Sequence, residues 1–284
     1  MVHVPVRIAV AGAGLIGRRH VEEIHRSGSA ELAAIVDPSP AARAVADEFG
    51  VPLLTGHHRN FSPIMSRARE IVRSGVLGPI VAVVGTALFY KPDDYFDAGG
   101  GWRRQAGGGP ILLNLIHEVN SLQSLVGSIV RVQATSSNAT RRHPVEDTAA
   151  MVFTFADGAL GTFLLSDTAA SARSWEQTSE ENPSYPSYPD EDAYHIAGTT
   201  GSLSVPTMRL KVFSGTRSWW EPFDASTVEV ERTDPLAIQV EHFAAVIRGE
   251  AEPVCSGRDG LKALRVVDAV VESARTGQPV DIPG

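Results

Sequence analysis

One cysteine, Cys255, stands among 284 residues. A disulfide framework needs paired thiols and a thiolate zinc site needs several, so both are excluded. Lysine is almost as scarce: Lys91, Lys211 and Lys262 are all there are. An excess of basic charge is missing too, since 33 acidic against 25 basic residues leave a formal charge of −8. That sign repels a phosphate backbone, and nucleic acid is not an expected partner. No uncharged apolar run approaches the ~20 residues that cross a bilayer, and no membrane partner is expected. The N-terminus enters a strand-like run at once, without a cleavable leader pattern. What is present is ordinary for a globular chain, with 43% hydrophobic and 20% charged residues. That apolar mass offsets chain entropy and excludes disorder throughout. The length allows one large domain or two ordinary ones. Together these features read as a cytoplasmic protein of small-molecule metabolism.

The first fifty residues read as βαβα. Residues 6–11 and 31–36 are short apolar runs of the kind buried in a parallel sheet. Residues 15–27 are helical and stop at Gly28, and 40–49 form a second helix capped by Ser39 with Pro40 in its first turn. Residues 53–58 are a third strand candidate, followed by a helix over 61–74. The texture then changes. Residues 80–90, 129–137, 148–156 and 158–166 are long strand-like stretches, with Asp157-Gly158 as a tight hairpin signal. More strands are expected at 193–198, 201–206, 208–213 and 227–231, and helices at 111–126, 235–249 and 258–275. Ser256-Gly-Arg-Asp259 suits a capping box for the last helix, and Gly277 its stop. The change in texture puts a domain boundary near residue 60. The fold class is therefore α/β: residues 1–60 form a truncated Rossmann-like parallel βαβ unit, and 61–284 an α+β domain with a large, predominantly antiparallel sheet.

Gly12, Gly14 and Gly17 spell GxGxxG between the first strand and the first helix, and Asp37 ends the second strand twenty residues after Gly17. Gly12 permits the tight turn, Gly14 a close approach to a pyrophosphate, and Gly17 close helix–strand packing. The helix that opens at Leu15 and Ile16 offers free N–H groups and the positive end of its dipole. Gly12, Gly14, Leu15, Ile16, Gly17 and Asp37 are thus the expected cofactor residues. Asp37 can accept the ribose hydroxyls and would repel a 2′-phosphate, which favours NAD over NADP, although Arg43 softens the preference.

The motifs from here on resemble the Gfo/Idh/MocA oxidoreductases. They include Ala11-Gly12-Ala13-Gly14-Leu15-Ile16-Gly17, Val36-Asp37-Pro38 and Gly56-His57-His58-Arg59. Trp102-Arg103, Gly107-Gly108-Gly109-Pro110, Glu146-Asp147-Thr148 and Ser256-Gly257-Arg258-Asp259-Gly260 continue the series. The resemblance implies an NAD(P)-binding Rossmann domain followed by an α/β domain whose open sheet carries the substrate site and usually an oligomer contact. It implies hydride transfer between nicotinamide and a sugar, cyclitol or related hydroxy compound, and a homo-oligomer. One part of the pattern is missing. In the family, two further strand–helix units, roughly 60 residues, lie before the Gly-His-His-Arg strand and carry a Glu-Lys-Pro motif with a catalytic lysine. Here Gly50-Val51-Pro52 runs straight into Leu53, as either an internal deletion or a shortened gene model of a normal dehydrogenase would leave it.

In the second domain, Asn114, His117 and Ser121 stand at i, i+3 and i+7 on an otherwise apolar helix. The resemblance makes this the active-site helix, with His117 and Asn114 as catalytic candidates and His117 also touching substrate. The family's aspartate four residues before the histidine is Leu113 here. Lys91 is not the missing lysine, because its neighbours Tyr95, Phe96, Trp102 and Arg103 belong to the substrate domain. It is expected to bind an oxygen-rich or carboxylate substrate with Arg103; an exposed surface lysine is the plainer alternative. Trp175 and Tyr194 flank a proline-rich acidic loop and would cover the pocket or make an oligomer contact. His57 and His58 point to opposite faces if on a strand, so no metal is expected. Cys255 is expected to pack inertly.

Overall fold

A computed structural model describes residues 4–11, 15–36, 53–97 and 100–283. It divides into two compact units, Met1–Ser62 with Thr233–Gly260, and Pro63–Arg232 with Leu261–Gly284. The predicted helix over 40–49 lies outside the described residues.

In the first unit β1 (Val6–Ala11) and β2 (Ala30–Val36) pair in parallel, joined by the helix Leu15–Arg26. Only alternate β1 side chains are covered: Ile8 and Val10 are buried while Arg7, Ala9 and Ala11 are exposed. A run that looked buried on both faces is covered on one, because the described sheet has two strands. Ile8, Val10, Ile24 and Ala30 form its small core with Val240 from the helix Pro235–Ile247. That helix starts as its sequence suggests. Asp234 accepts the Leu236 N–H at 2.9 Å and Pro235 takes the first turn.

The strand expected over 53–58 does not form. Leu54 makes one antiparallel bridge, to Ser256, and the chain then turns through a 3₁₀ helix at His58–Phe61. Neither β1 nor β2 pairs with it. Other groups engage this stretch: the Thr55 carbonyl accepts from the Gln239 side chain at 3.4 Å, and the Thr55 side-chain hydroxyl meets Cys255 and the Ser256 carbonyl. The capping box is reciprocal. Ser256 N–H donates to the Asp259 carboxylate at 2.9 Å and Asp259 N–H to the Ser256 hydroxyl at 3.4 Å.

The second unit is built on a nine-stranded sheet. Its strands are β3 (Ile80–Leu88), β4 (Ile129–Ser137), β5 (Thr148–Phe155), β6 (Leu160–Ser166), β7 (Tyr194–Gly198), β8 (Gly201–Val205), β9 (Arg209–Val212), β10 (Asp224–Thr227) and β11 (Val280–Asp281). The order is β10-β9-β8-β7-β3-β6-β5-β4-β11. Every pair is antiparallel except β3–β6. This is the mostly antiparallel sheet that the strand pattern implies. Gly158, at φ +89°, makes the β5–β6 hairpin. β10 comes earlier than the expected 227–231, because Val228 and Val230 instead pack against the core and the Val228 N–H bonds Met208. One face of the sheet, with Val83, Val132, Phe153 and Phe163, shares a core with the helices Pro63–Arg73, Ile116–Val126 and Gly257–Thr276. On the other face Val84, Val152, Leu160 and Leu164 are exposed.

Candidate active site

The one parallel pair in the large sheet builds the site. Because β3 and β6 run side by side in the same direction, their carboxyl ends leave the sheet together. Lys91 follows β3, Asp167 follows β6, and the Lys91 N–H donates to the Asp167 carbonyl at 2.9 Å. β5 is antiparallel to β6 and begins at the same edge, which adds Glu146 and Asp147.

The Lys91 ammonium donates to the Asn114 side-chain oxygen at 2.7 Å and lies 4.0 Å from the Asp167 carboxylate. It also sits 4.6 Å from the centre of the Tyr95 ring. Its side chain is 11% exposed, so it is not a surface lysine. Burial lowers its pKa to about 8; Asp167 and Glu176 oppose the shift, and Arg103 and Arg141 add to it. Asp167 is 2% exposed and accepts from Arg141 Nε at 2.9 Å. Arg141, 6% exposed, also donates to the carbonyls of Lys91 and Asp167 at 2.7 and 2.6 Å. Burial raises the Asp167 carboxyl above its ordinary range, against the pull of Lys91 and Arg141. The Arg103 guanidinium lies 4.4 Å from the Tyr95 ring centre and donates to the Tyr95 carbonyl at 3.1 Å. Lys91 and Arg103, paired from sequence, therefore share one aromatic neighbour.

The glycine run before the helix has a steric reason. Gly109 has φ +83°, and a Cβ there would come 2.5 Å from a Glu146 carboxylate oxygen. A Cβ on Gly108 would come 2.4 Å from the Arg103 carbonyl. That close approach lets Glu146 accept the Ile111 N–H at 2.8 Å and cap the helix. Burial raises the Glu146 carboxyl. The first turn, Ile111–Leu115, is π-helical, a distortion common at functional sites, and it carries Asn114. The α-helix Ile116–Val126 follows, with half-buried His117 in its first turn. Ser121, on the same predicted stripe, is fully buried. The structure thus brings Asn114 to Lys91, one turn from His117.

Trp175 lies in the hydrophobic core. It is 2% exposed, stacks on Tyr194 with centroids 5.9 Å apart, and donates its indole N–H to Glu181 at 3.2 Å. Tyr194 is as deeply buried and bonds the Glu118 carboxylate. Both are core residues, which corrects the expectation of a pocket cover or oligomer contact. Three residues that organise the site escaped the sequence reading: Asp167, Arg141 and Glu146 as a cap. The acid directly after a strand was the one available signal for Asp167.

In the first unit Ala11 is paired with Val36, so β1 and β2 end at the same edge, after which the glycine turn and Asp37 follow in sequence. The Leu15–Arg26 helix has no acid in its first turn, which leaves its positive end available to an anion. Gly17 lies in this helix and Ile16 is exposed beside it. A parallel strand pair with a helix between the strands is the frame on which such a fingerprint sits. Gly12, Gly14 and Asp37 themselves lie outside the described residues. His57 is buried, and burial, with Arg59, holds its pKa at about 4 against Asp259. Cys255 is buried, with its sulfur 3.2 Å from the Thr55 hydroxyl. Among the described residues no three His, Cys, Asp or Glu side chains converge as a metal site.

Residues 69–282 match the oxidoreductase family's C-terminal alpha/beta domain, and residues 6–73 its NAD-binding Rossmann fold. The chain belongs to the Gfo/Idh/MocA oxidoreductase family. It is 26% identical to the D-apiose dehydrogenase of Paraburkholderia graminis, over 84% of this chain and 61% of that protein. The chain thus spans less than two thirds of that relative. With inositol 2-dehydrogenase of Rhizobium meliloti it is 22% identical over 348 positions, covering 98% and 99% of the two chains. An alignment of 348 positions leaves at least 64 without a residue from a chain of 284, close to the size of the missing strand–helix units. The WlbA dehydrogenase of Bordetella pertussis, solved with NADH and UDP-GlcNAcA, shares the fold with a TM-score of 0.73 at 20% identity, over 99% of this chain and 100% of that one. No described helix is long and apolar enough to cross a membrane.

Proposed function

We propose that this chain is an NAD-dependent oxidoreductase that transfers hydride to or from a sugar, cyclitol or related hydroxy compound. The observation that carries the reading is the buried Lys91–Asn114 contact at the carboxyl ends of β3 and β6, on the helix that also bears His117. Buried donors of this kind suit a substrate rich in oxygen, and Arg103 extends the set toward a hydroxy acid. Gly12, Gly14, Leu15, Ile16, Gly17 and Asp37 would hold the adenosine and pyrophosphate end of the cofactor, with Asp37 selecting NAD over NADP. When bound, the nicotinamide supplies the hydride acceptor or donor. His117 would bind the substrate and carry a proton at its ring nitrogen. The work is assigned to the cytoplasm. The exposed Val84, Val152, Leu160 and Leu164 face is assigned to self-association, because an open apolar sheet face is costly in water.

A second reading, a sugar- or acid-binding domain without turnover, is favoured by one observation. Among the described residues the first unit's sheet has only two strands. A short sheet grips the nicotinamide end of a dinucleotide poorly, and lost orientation and acid–base help cost about 10²–10⁴-fold or more in rate. Two measurements separate the readings. NADH is titrated by fluorescence against the wild type and Asp37→Ala, and NAD reduction is followed with cyclitols, aldoses and hydroxy acids. Binding weakened by Asp37→Ala together with turnover on any substrate supports the enzyme. Binding of panel members without turnover supports the second reading, and equal NADH binding by Asp37→Ala removes the cofactor assignment.

A further inference from the structure

Only three lysines occur in the chain, and Lys91 is the one whose charge is withdrawn from water into the candidate site. Three features make it more than a binding group. Its nitrogen is fixed from two sides, by the Asn114 oxygen at 2.7 Å and by the Tyr95 ring. Its counter-ion, Asp167, is at 4.0 Å and is engaged by Arg141 at 2.9 Å, so Lys91 has no carboxylate of its own at hydrogen-bond distance among the described residues. Its place at the end of β3 is braced by the Arg141 bond to its carbonyl at 2.7 Å. A pure anion-binding lysine gains from staying protonated and wet. This one is held dry, between opposing charges.

We propose that the Lys91 amine is the group that exchanges a proton with the substrate oxygen during hydride transfer, with Asn114 and Asp167 as its positioning residues. The assignment rests on the dehydrogenase reading above. It differs from the simpler substrate-binding role expected of Lys91 from sequence, and it takes the direct proton exchange from His117, which keeps its substrate-binding role. In the reducing direction hydride from a reduced nicotinamide cofactor adds to the carbonyl carbon and the C=O π bond breaks. The Lys91 ammonium then gives its proton to the oxygen and remains as a neutral amine. Oxidation reverses each transfer: the amine takes the hydroxyl proton as hydride leaves the carbon. An amine with a pKa of about 8 is suited to both directions near neutral pH. The charged groups facing it are Asp167 and Glu176, which favour the ammonium, and Arg103 and Arg141, which disfavour it.

The test begins without cofactor. With lysine labelled by carbon-13, the full chain gives only three Cε–Hε resonances, and Lys91→Arg assigns one of them. The expected midpoint of that resonance is near pH 8, and Asp167→Asn should lower it further by removing the anion that favours the ammonium. A midpoint near the ordinary 10.5 overturns the inference. Turnover is then followed against pH. Carbonyl reduction by the wild type should fall as pH rises through about 8. Lys91→Arg, which keeps the charge but cannot release a proton, should be slower by about 10²–10⁴-fold and lack that limb. A Lys91→Arg enzyme with the wild-type rate and profile overturns the inference while the dehydrogenase reading stands. A chain inert toward every substrate overturns the dehydrogenase reading and the transfer step with it, whatever the Lys91 midpoint.

Discussion

Replacing Asp167 by asparagine keeps the side chain's shape and one acceptor but removes the charge that faces Arg141 and Lys91. Water cannot take its place, because Asp167 and Arg141 are 2% and 6% exposed. Removing one partner of a buried ion pair costs about 3–5 kcal/mol when the remaining charge is abandoned. Arg141 is not wholly abandoned here. It keeps the carbonyls of Lys91 and Asp167 at 2.7 and 2.6 Å, and a solvent-exposed Asp93 carboxylate at 3.3 Å. The loss should therefore match a charge-assisted hydrogen bond rather than a whole pair, about 2–3 kcal/mol. For a unit of 150–250 residues that lowers the melting temperature by about 4–12 °C. Thermal unfolding followed by calorimetry reads it directly. The double variant Asp167→Asn with Arg141→Met checks the cause. If the pair is the source, the double variant should be more stable than the sum of the two losses by at least about 1 kcal/mol. An Asp167→Asn melting temperature within a degree of wild type, or strict additivity in the double variant, would refute the reasoning.

Gly109→Ala forces an L-residue to φ +83° and drives Glu146 from its cap, which should cost about 2–3 kcal/mol in urea unfolding. Gly107→Ala, also at positive φ but with open space around it, should cost only the backbone part, about 1–2 kcal/mol, and equal losses would sink the capping account. His57 takes a proton less readily folded than unfolded, with about 4 against 6.5. Its contribution is thus complete above pH 6.5 and is lost as pH falls toward 4, by about 3 kcal/mol in all. His57→Gln should flatten that part of the stability–pH curve, and a wild-type urea midpoint unchanged between pH 7 and 5 would contradict it. If the outer sheet face joins copies of the chain, Val84→Glu should shift the mass seen by light scattering to that of a monomer with the melting temperature nearly kept; a wild-type chain already monomeric at micromolar concentration would count against the assignment.

The sequence made most strands of the second unit legible, because residues such as Val83, Phe153 and Phe163 alternate with exposed neighbours and the Asp157-Gly158 turn marks the hairpin. It misled at 53–58, where apolar content suggested a strand but Ser256, Cys255 and Gln239 supply the backbone and side-chain partners instead. Those partners lie about two hundred residues away, and no local pattern announces them. Trp175 was misread for a related reason. An aromatic beside a proline-rich loop looks the same whether it stacks on Tyr194 inside or covers a pocket outside. The helix bearing Asn114 and His117 was legible from its glycine lead-in, whereas the Asp167–Arg141 pair was not. The approach of Asp167 to Lys91 was equally hidden, because it depends on β3 lying parallel to β6, a pairing that local periodicity does not encode.

That one parallel pairing also explains why motifs scattered over the sequence act together. Gly109 leaves room for Glu146 close by, Glu146 starts the chain into β5, and β5 pairs with β6, whose end places Asp167 beside Lys91. Lys91 in turn holds Asn114 in the turn that Glu146 caps, which closes the circuit. Every member of this circuit lies in the second unit. The strand–helix units that the family resemblance leads one to expect before Leu53 would belong to the nucleotide-binding part of the sequence, and no bond of the circuit depends on them. A buried amine, an amide and a histidine one turn along the helix therefore remain ordered in a shortened chain.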